Sequence, residues 1–236
     1  MPELLDHLLA TPILAIALTL AANVAGIRLL RAVGAPAWCP PILVAALLLA
    51  GVLAALSIDY ADYRRGAAWL MLLLGPATVA LGLPLHQQMP QVRPLWRPLL
   101  ACLPVAALLA AGYAVGIAWL LGAPPEILAS LAPKSVTAPI AIGITEQIGG
   151  SVSLMMGGLL VTGVAAIGFV ALFARQLGIR DERILGLALG LNGHALGTVR
   201  AFEIGPTAGA FASLGMSLTG IFSALFLPLA WRLVGP

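Results

Sequence analysis

The feature that most limits what this chain can fold into is its scarcity of charge. Only 9% of its 236 residues are Asp, Glu, Lys or Arg, against 61% that are hydrophobic. A soluble domain carries about 25% charged residues, because its surface has to be wetted. So few charges cannot cover a folded surface of this size, and lipid must be the solvent for most of the chain. A mean hydropathy of +1.05 agrees. The sequence therefore reads as an all-α integral membrane protein, a single polytopic membrane domain over residues 1–236. Each span takes roughly 20 apolar residues, which leaves room for about seven transmembrane helices.

Apolar segments fall at about 11–30, 41–56, 67–85, 99–121, 151–174, 184–204 and 207–231. Charge collects between them: Arg28 and Arg31; Asp59, Asp62, Arg64 and Arg65; Arg93 and Arg97; the 175–183 loop; and Arg232. The N-terminal residues are acidic, whereas a cleaved signal peptide starts basic, so the first apolar segment is expected to be a retained span. Residues 124–150 fit no simple span. Pro124-Pro125, Pro133, Pro139 and Gly149-Gly150 interrupt them, and Glu126, Lys134 and Glu146 charge them. Broken backbone survives at membrane depth only where protein or a water-filled cavity satisfies it. The segment is expected to enter as a short helix, break at Pro133 and return. Seven crossings then place Arg28/Arg31, 86–98, 175–183 and Arg232 on one face. The positive-inside rule makes that face cytoplasmic, with the N-terminus outside and the C-terminus inside a bacterial inner membrane.

The net charge is only +3, with no Lys/Arg run, which argues against nucleic acid as a partner. Two cysteines, Cys39 and Cys102, are too few for a disulfide framework and are expected to be packing residues. No metal-ligand cluster or cofactor fingerprint is present, so no cofactor is implied. Enzymatic motifs are missing too.

Two further spans are interrupted in mid-course. One holds Leu74-Gly75-Pro76-Ala77-Thr78-Val79; the other holds Gly190-Leu191-Asn192-Gly193-His194-Ala195-Leu196-Gly197-Thr198. Seven crossings would run them in opposite directions. Paired, interrupted, oppositely directed helices are the sequence pointer to a transporter binding site. Leu74–Val79 also resembles Leu131-Ala132-Pro133-Lys134-Ser135-Val136, a weak sign of an internal repeat with halves of about 1–122 and 123–236.

Charges at membrane depth cost about 2.5–3.5 kcal/mol each on insertion scales, so each one is a functional candidate. Lys134, with Ser135 and Thr137 at the start of a half-helix, offers an ammonium, two hydroxyls and free N–H groups to a small carboxylate. The alternative is a Lys reaching to the interface while the hydroxyls cap the backbone. His194, beside Asn192, titrates near neutral pH and is a candidate proton carrier. It could equally be bonded into a helix junction. Arg200 and Glu203 share a helix face at i, i+3. Either they neutralise each other, or Arg200 clamps a carboxylate while Glu203 carries a coupling proton. Pro76, Thr78 and Thr198 complete the substrate-binding set. Glu146 is expected to be solvated.

Gly75-Pro76-Ala77-Thr78-Val79-Ala80-Leu81, Pro133-Lys134-Ser135-Val136-Thr137-Ala138-Pro139-Ile140-Ala141 and His194-Ala195-Leu196-Gly197-Thr198-Val199-Arg200-Ala201-Phe202-Glu203 resemble the LrgB/CidB family across nearly the whole chain. Three positions depart from the family pattern: Gly193 where Ser usually precedes the His, Ala138 where a second Thr usually follows, and Val199 where Ala is usual. The first two remove a hydroxyl each. The resemblance implies two functions. One is an antiholin- or holin-like modulator of murein hydrolase export and autolysis, working with a small LrgA/CidA-type membrane protein. The other is a transporter of small monocarboxylates such as pyruvate, glycolate or 3-hydroxypropionate, as in a plastid glycolate/glycerate translocator. Together with the anion-friendly broken helices, it favours a carboxylate transporter, ion-coupled through His194 and Glu203 and compatible with a homo-oligomer.

Overall fold

A computed structural model describes residues 12–34, 39, 41–73, 76, 79–80, 82–87 and 89–234. Among these residues every regular element is helical. The chain divides into two compact units, Met1–Ala80 and Leu81–Pro236.

In the first unit, α1 (Pro12–Ala32) packs on α2 (Pro41–Ala55) and α3 (Tyr60–Leu72). Gly26 permits the close crossing with α2, since a Cβ there would sit 2.9 Å from the Ala45 nitrogen. Thr19 Oγ1 and Tyr63 Oη, 2.9 Å apart, tie α1 to α3. The expected interruption at 74–79 falls mostly outside the described residues; of its site residues Pro76 is helical and exposed, and Thr78 lies outside them.

The second unit starts with two short helices, α4 (Gly82–Gln87) and α5 (Met89–Val92), and a 3-10 turn, Arg93–Leu95. α6 (Trp96–Leu120) follows, then α7 (Pro125–Leu131), α8 (Ala138–Gln147), α9 (Val152–Leu177), α10 (Glu182–Ile204) and α11 (Pro206–Val234). Across the described residues four helices are long and apolar enough to cross a membrane: Pro12–Ala32, Met89–Leu120, Val152–Leu177 and Pro206–Leu233.

The expected re-entrant segment is α7, a break at 132–137, and α8. It turns back on itself: Gly150, just past α8, lies against the backbone of Ala129 and Ser130, and Ser151 N donates to Ser130 Oγ at 2.8 Å. α9 then descends beside the break, bringing Gly158 against Leu131 and Lys134.

The 184–204 segment differs from its expected single crossing. α10 is two half-helices joined at His194, whose φ of 41° and ψ of −133° are not helical. A Cβ at Gly197 would sit 2.1 Å from the Leu189 carbonyl oxygen, an approach no straight helix allows across that separation. A Cβ at Gly205 would likewise meet the Glu182 carboxylate, so the two ends of α10 lie side by side. The partner helix confirms the reversal. Gly186 faces Ala208 and Gly190 faces Ala212, so 182–193 runs parallel to α11 and 195–204 must run back. Each half reaches only about 15–18 Å, short of the roughly 30 Å hydrocarbon core. α10 is a hairpin, and the interruption is its tip. Small residues on both sides let the two backbones touch, the usual device where lipid gives no hydrophobic push.

Both hairpins therefore follow one plan: half-helix in, break, half-helix out, long helix through. They enter from opposite ends of α9, the first beside Ser151 and the second after Leu177. Asp181 caps the start of α10 and takes hydrogen bonds from Arg183, which lower its carboxyl pKa to about 2.

Candidate functional site

The two hairpin tips pack on the same stretch of α9, residues 158–163. Lys134, at the first tip, packs beside Gly158; a Cβ on that glycine would lie 3.7 Å from Lys134 Cβ. His194, at the second, reaches the Leu159 carbonyl with Nε2 at 2.9 Å, and its ring edge covers Gly163. A carbonyl only accepts, so Nε2 carries the proton of this bond. Seven residues of helix separate Ser151 from Gly158, which puts Lys134 about 10 Å deeper than the mouth of its hairpin.

Lys134 is buried, with 7% of its surface exposed. Its Nζ donates to Tyr113 Oη at 2.9 Å and to Ser135 Oγ at 3.1 Å. The ammonium also lies 4.5 Å from the Tyr113 ring centroid. Among the described residues no Asp or Glu pairs with it. A buried cation held only by neutral oxygens retains its appetite for an anion. The side chain is buried against Tyr113 rather than extended into the open.

Beside Lys134 opens a cavity of about 820 Å³, walled by α6, α9 and the first half of α10. Its lining is apolar except for Lys134, Tyr113, Thr162 and Asn192. Asn192 Nδ2 donates to the Ala188 carbonyl at 3.1 Å, which orients the amide on the cavity wall. Lys134 and Asn192, one from each hairpin, thus border the same space.

The remaining sequence candidates divide. Ser135 and Thr137 are buried at the first tip. Thr137 caps α8 through its carbonyl, which takes bonds from Ile140 and Ala141, while its hydroxyl makes no capping bond. Pro139 has no N–H, so few amide donors are left there and the ammonium carries the positive charge. Thr198 is buried, and its hydroxyl donates to the His194 carbonyl at 2.8 Å, stiffening the second break. Arg200 and Glu203 pair with each other on the outer side of the returning half-helix and do not border the cavity. Glu146 is exposed. Tyr113 had no signal in the sequence: an aromatic in an apolar helix is ordinary, and only the fold brings it to Lys134.

The LrgB-like family model matches residues 19–233. A Haemophilus influenzae protein named only as uncharacterised is 37% identical over 188 residues, covering 80% of this chain and 81% of its own. The YxaC protein of Bacillus subtilis is 33% identical over 224 residues, covering 92% and 94%. The antiholin-like protein LrgB of Bacillus mycoides is 26% identical over 179 residues, covering 76% and 78%. No solved structure matches.

Proposed function

The chain belongs to the LrgB-like family, and from that premise we propose that it is a membrane transporter of small monocarboxylates of the pyruvate or glycolate kind. The observation that carries this is Lys134: a buried ammonium, without an acidic partner among the described residues, facing a cavity at the meeting point of two broken hairpins. One cation suits one carboxylate. A second carboxylate would enter an apolar space with nothing to pay for its desolvation. Asn192 would orient the guest, and Ser135 holds the ammonium that meets it. The opposed hairpins suit alternating access, in which the two repeats move about a fixed site. His194, with Nδ1 left after its bond to Leu159, is the proposed proton carrier if transport is proton-coupled. Glu203 was the other candidate, but its ion pair with Arg200 leaves both to structure in this reading.

The protein would act in a bacterial inner membrane, as a carrier rather than an enzyme. A small LrgA/CidA-type membrane protein, which the resemblance implies, is the proposed partner. The antiholin-like names of several relatives favour a second reading, modulation of murein hydrolase export and autolysis. Uptake of labelled pyruvate and glycolate into proteoliposomes, with and without a pH gradient, separates the two. Saturable, carboxylate-specific uptake supports a transporter; its absence, with altered lysis in cells lacking the gene, supports the modulator.

A further inference from the structure

We propose that Tyr113 is the second donor of the anion site, so that Lys134 and Tyr113 together take both oxygens of one carboxylate. This rests on the transporter reading and assigns it a residue from outside the hairpins.

The hydrogen-bond inventory leads there. An ammonium has three N–H donors. Two are engaged, by Tyr113 Oη and Ser135 Oγ, and one remains. Lysine only donates, so Tyr113 Oη is the acceptor in its contact and its own O–H must point elsewhere. Among the described residues no hydrogen bond takes that proton. Tyr113 is half exposed and borders the cavity. The site thus offers two donors 2.9 Å apart, a free N–H and a free O–H, side by side. An ionised carboxylate is their natural complement, because it presents two adjacent acceptor oxygens. A halide, a single acceptor centre, gains little from the second donor. The ring face, 4.5 Å from Nζ, steers the ammonium while its third proton stays free. α6 is unbroken, so the phenol would act as a fixed post against which the first hairpin presents Lys134.

The test is pyruvate binding to the purified full-length protein, read as thermal stabilisation, alongside uptake kinetics. Chloride is the comparison ligand. Tyr113→Phe keeps the ring and removes the hydroxyl, both its free O–H and the oxygen that accepts from Lys134. Pyruvate affinity should fall about tenfold to hundredfold, the worth of one hydrogen bond to a charge. The loss should appear in KM more than in maximal rate. Any chloride effect should be the same in both proteins. Tyr113→His, which returns a ring with a donor, should recover part of the pyruvate affinity. A Tyr113→Phe protein that binds pyruvate like wild type, while Lys134→Ala does not bind it, overturns the clamp and leaves the carboxylate reading intact. A loss in Tyr113→Phe that chloride binding shares would mean that the hydroxyl only holds Lys134 in place and is no second carboxylate donor, and also overturns it. Wild-type protein that binds no carboxylate sinks both.

Discussion

His194 Nε2 lies 2.9 Å from the Leu159 carbonyl oxygen, and this bond fastens the tip of the second hairpin to the first half of α9. It makes one nitrogen structural and leaves the other for chemistry. The two roles separate in mutants. His194→Gln keeps an N–H donor but cannot titrate. It should remain folded, and any pH dependence of uptake between about pH 5 and 8 should flatten. His194→Ala should also lower thermal stability, by about 1–3 kcal/mol, because a buried polar contact is lost. A pH profile in His194→Gln that matches wild type would remove His194 from coupling.

The α10–α11 contact should be intolerant of bulk. At Gly186 and Gly190 a Cβ would stand 2.1 Å from the carbonyl oxygens of Ala208 and Ala212. Gly190→Leu should destabilise by about 1–3 kcal/mol or more, as overpacking does. Gly116→Ala on α6 is the control, since a Cβ there meets nothing within 4 Å. Detergent melting curves compare the two; equal melting would refute the close contact.

The hairpin form of α10 changes the expected topology. With 182–204 entering and returning, the 175–183 loop and the C-terminus fall on opposite faces of the membrane. By the positive-inside rule the arginines at 93, 97, 175, 180 and 183 are still expected on the cytoplasmic side. In a protein lacking Cys39 and Cys102, cysteines placed at 93 and 180 should resist an impermeant reagent in intact cells. One placed at 232 should react. Labelling at 180 and 232 alike would restore α10 as a full crossing.

Much of this was visible in the residues, and what was not has a physical cause. Pro133, Lys134 and Pro139 in an apolar stretch told of a break, because proline and charge are both costly in lipid. The reversal of α10 was hidden. Its length matches one bilayer crossing, and hydropathy carries no sign of direction. Only the left-handed backbone at His194 and the small residues at 186, 190 and 197 permit the fold-back. The repeat suggested by Leu74–Val79 and Leu131–Val136 falls mostly outside the described residues; those residues pair 125–177 with 182–234 by geometry and opposite entry. Sequence spacing put Arg200 and Glu203 on one face, and they do pair; it could not tell that their face lies away from the cavity.

Arg200 and Glu203 give a paired test. Arg200→Gln and Glu203→Gln should each reduce the amount of folded protein modestly, since each leaves its partner unpaired on the returning half-helix. The double variant should recover it and still transport. A double variant that inserts well yet is inactive would return Arg200 to the substrate site.

The most direct measurement of the central claim is pyruvate uptake by proteoliposomes holding equal amounts of folded wild-type and Lys134→Ala protein. Removing one side of a buried charge-assisted contact typically costs about 2–5 kcal/mol, more than a tenfold loss of affinity. Saturable uptake by wild type and none above empty liposomes for Lys134→Ala is the predicted result. Equal uptake by the two proteins would contradict it and leave autolysis modulation as the better explanation of the fold.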